Sequence, residues 1–180
     1  MMRDPVERTV SHWVHFSASG VEMRPLNEAL DDLSDDNPLV DASLYHKQLL
    51  AYLEHFPLER IHMATMEELA ADPTRTMQEL FRFLEVDESF DSPRFQNIRH
   101  PSSSKRRATA AGRLARRVFG HYRLSQLRQR APFLDPWLRR EPVEKPDLDE
   151  ALRARLEDRF RDDVAQLRAR TGLACPKWSV

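Results

Sequence analysis

The chain has 180 residues, 41% hydrophobic and 32% charged, a length and balance that suit one soluble, globular domain with a real core. No apolar run approaches the roughly 20 residues of a membrane span, the first residues lack the continuous apolar core of a signal peptide, and the lone Cys175 excludes an internal disulfide framework, so a reducing, cytoplasmic setting is expected. The net charge of −1 conceals an asymmetry: residues 92–134 hold eleven Lys and Arg and no acid, whereas residues 25–46 hold six acids and no Lys or Arg. That implies an anionic partner for the basic half, or mutual neutralisation of the two.

The first predicted helix spans residues 5–16. Asp4 is a good N-cap residue, and Pro5 suits the first helical position, where its missing N–H is no loss. Val6, Val10, Trp13 and Val14 share one stripe. Arg3 stands just before the cap and Ser11 two turns into the helix. A guanidinium, a hydroxyl and the positive end of a helix dipole are the parts that hold a phosphate. The same residues also make an ordinary capped helix with a surface arginine. His12 and His15 are three apart without a third ligand, and no metal is expected. Residues 20–42 read as a loop with one helical turn near residues 26–33.

A second helix is expected over residues 43–56, with Tyr45, Leu49, Tyr52, Leu53 and Phe56 on one stripe and Pro57 as the stop. Residues 60–66 alternate in part between two helices, which predicts a short strand of a parallel sheet covered on both faces. Asp72-Pro73 repeats the cap-and-proline signal and opens a helix with Met77, Leu80, Phe81 and Leu84 on one face. After His100, three serines followed by Lys105, Arg106 and Arg107 concentrate hydroxyls and cations that suit a phosphate.

Residues 113–130 predict a helix with Leu114, Val118, Phe119, Tyr122 and Leu127 inward and its arginines outward. Such a basic amphipathic helix suits a groove for an acidic glycan, an anionic membrane surface or nucleic acid. No nucleic-acid fold signature supports the last. Residues 132–146 carry four prolines and read as a connector. The last helix starts near residue 147, carries Leu152, Leu156, Phe160, Val164 and Leu167 inward, and ends at Gly172.

The segment Arg3-Asp4-Pro5-x-x-Arg8, with Ser11 eight residues after the first arginine, resembles the 3′-phosphate-binding segment of PAPS-dependent sulfotransferases. The run of Tyr45, Phe56-Pro57, Met66-Glu67-Glu68-Leu69, Asp72-Pro73 and Phe83-Leu84 resembles the same family in order and spacing. Met66 departs from its usual aromatic and Glu68 from its usual Asp. The ending, from Leu152 through Gly172 to Trp178, is similar to the C-terminus of its bacterial members.

The resemblance implies an α/β fold: an incomplete P-loop-type three-layer domain, mostly helical in this chain, with one or two short parallel strands. It implies a single domain over residues 1–180, truncated at its N-terminus. It implies transfer of a sulfuryl group from PAPS (3′-phosphoadenosine 5′-phosphosulfate) to a hydroxyl or amine acceptor such as an acidic glycan, without a metal. Arg3 and Ser11 would hold the 3′-phosphate, Tyr45 would lie near the adenine, and Lys105, Arg106 or Arg107 would close the site as a late basic loop. Glu67 and Glu68 fall at a strand end in a structural role. The family's Pro-Lys-Ser-Gly-Thr-Thr-like loop is not in this sequence, whose lysines are Lys47, Lys105, Lys145 and Lys177 and whose four glycines form no phosphate loop. No catalytic base is nominated, and the chain alone is expected to bind rather than transfer. The alternatives are a non-catalytic module for 3′-phosphoadenosine nucleotide or an anionic glycan, and a basic helical interaction module.

Overall fold

The computed structural model describes residues 1–96, 106–131, 133 and 138–180. Most of its helices open where the sequence offers a capping side chain. Helix α1 (Pro5–Ser19) begins at Asp4, whose Oδ1 accepts the Glu7 N–H at 2.9 Å, and ends at Gly20, where φ is +74°. Helices α2 (Leu26–Ala29) and α3 (Pro38–Asp41) are single turns in the acidic loop, the second capped by the Asn37 side chain. Helix α4 (Tyr45–Leu53) is shorter at both ends than expected. Its N-cap position, Leu44, has no side-chain acceptor. Asp163 of the last helix does the capping instead, accepting the His46 and Lys47 N–H groups at 2.9 and 3.0 Å.

A 3₁₀ turn (Leu58–Arg60) precedes α5 (Met66–Ala71) and α6 (Pro73–Phe83). Thr65 and Glu68 form a capping box that opens α5: Thr65 Oγ1 accepts the Glu68 N–H at 3.1 Å, and Glu68 Oε2 accepts the Thr65 N–H at 2.8 Å. Asp72 opens α6 by accepting the Arg75 N–H at 2.9 Å. After a second 3₁₀ turn (Pro93–Gln96), strand β1 (Arg106–Ala108) leads into α7 (Ala110–Arg130), and β2 (Arg139–Pro142) precedes α8 (Glu150–Thr171). Asp149 caps α8 and Gly172, at φ +73°, closes it.

The fold is mostly helical, as expected, but its strands differ from those predicted. Residues 60–66 do not form a strand. They contain one parallel bridge, Met2 with Thr65, made by Met2 N–H to the Ala64 carbonyl and Met66 N–H to the Met2 carbonyl, each at 2.8 Å. A ladder grows only where neighbouring strands continue it, and the capping box at Thr65 diverts the chain into α5. The strands among the described residues, β1 and β2, pair antiparallel across a bulge. The run from His100 to Lys105 and part of the proline-rich connector lie outside the described residues.

The chain forms two compact units whose division falls within α1. The first comprises Met1–Thr9, Asp32–Arg99 and Leu148–Val180. Its core is α4 against α8, with Leu152, Leu156, Phe160, Val164 and Leu167 buried as predicted, beside Leu39, Val40, Leu44 and Leu49. In α6 the apolar stripe is only half-covered, and Leu84 is exposed. The second unit comprises Val10–Asp31 and His100–Asp147. It buries Val10, Trp13, Val14, Leu26, Leu30 and Val143, with Trp13 Nε1 donating to the Arg24 carbonyl at 3.1 Å.

In that second unit α7 corrects a prediction. Leu114, Val118, Phe119 and Leu127, expected inward, are 63%, 67%, 52% and 43% exposed. Arg113 and Arg116 are the side chains that pack. Arg116 Nη1 donates to the Ser19 carbonyl at 3.1 Å, and a Cβ added to Gly20 would lie 2.7 Å from Arg113 Cδ. Carbonyls at the end of α1 are unsatisfied by the helix itself and attract cations. That attraction holds Arg113 and Arg116 in and leaves the apolar face out, with Arg117, Arg123 and Arg130 also exposed. Gly120, at φ 74° and ψ 163°, breaks the helix after Phe119.

Candidate functional site

The residues before α1 are held by the first unit at almost every backbone group. Met2 is tied to both sides of Thr65 by the bridge. The Tyr45 hydroxyl accepts the Arg3 N–H at 3.1 Å and donates to the Arg3 carbonyl at 2.9 Å. Glu67 accepts the Asp4 N–H at 3.0 Å with one oxygen and the Trp178 indole N–H at 3.2 Å with the other. Asp4 caps α1 with Oδ1, and its Oδ2 accepts the Ser179 N–H. The rings of Tyr45 and Trp178 complete the mount, with centroids 5.5 Å apart.

Tyr45 is buried, and burial pushes its hydroxyl up to about 12, well above the ordinary phenol. It is a neutral donor and acceptor that fixes the Arg3 backbone. The Arg3 side chain is a different matter. It is 35% exposed, and its Nη2 lies 3.1 Å from Glu7 Oε2. Arg153 of α8 approaches the other Glu7 oxygen at 3.9 Å. One turn on, Arg8 donates to Ser43 Oγ at 3.3 Å, and Ser43 shares a 2.9 Å hydrogen bond with Thr9.

This arrangement is a rigid backbone carrying a partly exposed guanidinium. A guanidinium offers a planar fork of donors that matches phosphate or carboxylate oxygens. Its present partner is a half-exposed carboxylate, and exposed ion pairs of this kind are worth about 0–1 kcal/mol. A phosphate of higher charge can take the place of Glu7 on Arg3. The Glu7 N–H at the mouth of α1 is already taken by Asp4, so an anion there meets side chains more than open backbone donors.

Of the residues singled out from the sequence, the structure brings Arg3 and Tyr45 together. Ser11 lies on α1, half-buried, and belongs to the second unit. Arg106 is exposed on β1, with Arg107 next to it on that strand, and Lys105 lies outside the described residues. Glu67 and Glu68 have structural parts, one joining Asp4 to Trp178 and the other capping α5. Glu7, Arg153 and the C-terminal Trp178 and Ser179 were not foreseen as part of this mount. Only the indole N–H of a late tryptophan, a donor that requires a partner when buried, hinted at it.

A cleft of about 130 Å³ lies beside the mount, lined by Thr65, Glu67, Glu68, Ala71 and residues 175–178. It is too small for a nucleotide, and burial raises the Cys175 thiol there, which disfavours a reactive thiolate. Among the described residues no group of His, Cys, Asp and Glu is placed to hold a metal, and no helix is long and apolar enough to cross a membrane. A family model described as the sulfotransferase domain matches residues 1–167.

Proposed function

The chain belongs to the sulfotransferase family, and from that premise we propose that it binds PAPS by its 3′-phosphate, with Arg3 as the cation and Ser11 as the hydroxyl donor. The observation that carries this reading is the double hydrogen bond of the Tyr45 hydroxyl to the Arg3 backbone. It gives a partly exposed arginine a fixed origin, which an anion site needs and a surface arginine does not. In this reading Tyr45 supports the nucleotide end by holding Arg3, with its ring toward the adenine. Lys105, Arg106 or Arg107 adds a second cation from the basic loop.

PAPS supplies the sulfuryl group, and the acceptor is a hydroxyl- or amine-bearing molecule, with an acidic glycan the class suggested by the arginine-rich residues 92–134. The transfer itself needs donors around the phosphosulfate and a base for the acceptor. The chain's lysines and glycines assemble no phosphate loop, so its own part is to grip the 3′-phosphoadenosine end. The alternative, a nucleotide-binding module without catalysis, draws on the same fact. We place the protein in the cytoplasm on the strength of its single cysteine.

Calorimetry with adenosine 3′,5′-bisphosphate tests the reading. The full chain binds it and does not bind adenosine 5′-monophosphate. Arg3→Ala and Ser11→Ala each weaken binding more than about tenfold, the loss expected for a charge-assisted phosphate contact. A folded sample that ignores the bisphosphate overturns the donor-site assignment. The same protein incubated with PAPS and a hydroxyl acceptor transfers no sulfate, and turnover by the chain alone would overturn its limitation to binding.

A further inference from the structure

We infer that α7 docks on an anionic lipid surface. By helical spacing, its first segment carries Ala111, Leu114, Val118 and Phe119 on one half and Arg113, Arg116 and Arg117 on the other. In a helix that only packs on its own domain, the apolar half faces inward. Here Arg113 and Arg116 lie against the end of α1, and Leu114, Val118 and Phe119 are more than half exposed. Beyond the break at Gly120, Leu127 is also exposed, in a shallow groove it shares with Arg123, Gln126 and Arg130. Arg117, Arg123 and Arg130 are exposed as well.

Exposed large apolar residues and exposed arginines on one helix, in a stretch with no acid from residue 92 to 134, match the boundary between lipid headgroups and acyl chains. The two features reinforce each other there. Apolar side chains enter the boundary, and each nearby arginine gains from the negative surface potential. An acidic glycan satisfies the arginines but gives nothing for exposing Leu114, Val118 and Phe119. A second copy of the chain brings arginine against arginine. Within the chain's acidic stretch, Asp35 is paired with Lys47 and Arg159, and Asp41 with Lys47.

Co-sedimentation of the full chain with vesicles tests this. The protein partitions onto phosphatidylcholine vesicles containing one-quarter phosphatidylglycerol at least about tenfold more than onto phosphatidylcholine alone, and 1 M salt reduces the difference. Leu114→Glu with Val118→Glu abolishes partition. Arg117→Glu with Arg123→Glu lowers it at least about tenfold. Both variants retain their far-ultraviolet circular dichroism, because every substituted side chain is solvent-facing or, for Arg117 and Arg123, exposed. Equal sedimentation with and without phosphatidylglycerol overturns the inference. So does a dimer in sedimentation velocity that the Leu114 and Val118 substitutions dissolve. So does heparin binding in the absence of vesicles that survives those same substitutions while vesicle binding is nil.

Discussion

At Arg3 the backbone and the side chain have separate duties, and Tyr45 serves only the first. Removing its hydroxyl in Tyr45→Phe leaves the Arg3 N–H and carbonyl without their partner in a half-buried setting, which costs about 1–3 kcal/mol. Thermal denaturation should register that loss, and the bisphosphate should bind about tenfold more weakly although the substituted atom never touches it. The pH dependence has a definite sign. Burial raises the Tyr45 hydroxyl from 10.0 to about 12, so the folded state favours the neutral phenol. Its contribution is fully present below pH 10 and is lost as the pH climbs from 10 toward 12, by roughly 2–3 kcal/mol. Denaturation of wild type and Tyr45→Phe across that range should therefore converge at high pH. Parallel curves would mean that the hydroxyl is not buried. From the sequence, Tyr45 could be placed on a helical stripe and likened to an adenine neighbour. Its bond to a residue 42 positions away has no local signature, because hydroxyl partners are chosen by tertiary geometry.

At the scale of elements, what was legible is what local chemistry decides. Asp4-Pro5 and Asp72-Pro73 open α1 and α6 as read, and the five buried positions of α8 follow its period. The capping box of α5 was equally local, Thr65 with Glu68, and alternation of residues 60–66 outweighed it. The orientation of α7 was not local, because apolar period says which residues share a face and not which face packs. Its N-terminal end makes a testable case. Gly112 sits where the Leu138 carbonyl also accepts the Thr109 N–H at 3.0 Å, and a Cβ on Gly112 would come within 2.2 Å of that oxygen. In an open helix, Gly→Ala stabilises by about 1 kcal/mol. Here the methyl meets backbone that cannot swing away, and overpacking of this kind costs typically 1–3 kcal/mol. Gly112→Ala should lower the melting temperature by a few degrees, roughly 2–4 °C per kcal/mol at this size. A variant as stable as wild type would show that the segment before β2 does not rest on α7.

At the scale of the molecule, the first unit is closed by the two ends of the chain. Trp178 and Ser179 reach Glu67 and Asp4, and Arg168 of α8 anchors the tail by donating to the Ala174, Cys175 and Val180 carbonyls. The family match covers residues 1–167, and the tail that makes this closure follows them. The resemblance of the ending, from Leu152 to Trp178, marks the tail but not its partners: a tail of mixed composition carries no period, and its role exists only when the ends meet. Removing residues 178–180 tests it. The truncated chain loses a buried indole, worth about 2–3 kcal/mol in burial, and leaves one Glu67 oxygen and one Asp4 oxygen without their donors. The melting temperature should fall on the order of 10 °C. Binding of adenosine 3′,5′-bisphosphate should weaken at a temperature where the chain is still folded, because Asp4 and Glu67 then hold the Arg3 segment less firmly. The same truncation leaves α7 untouched, so vesicle binding should persist. If the shortened chain binds the bisphosphate as tightly as wild type, the mount of Arg3 does not depend on the tail, and the Tyr45 hydroxyl alone sets its position.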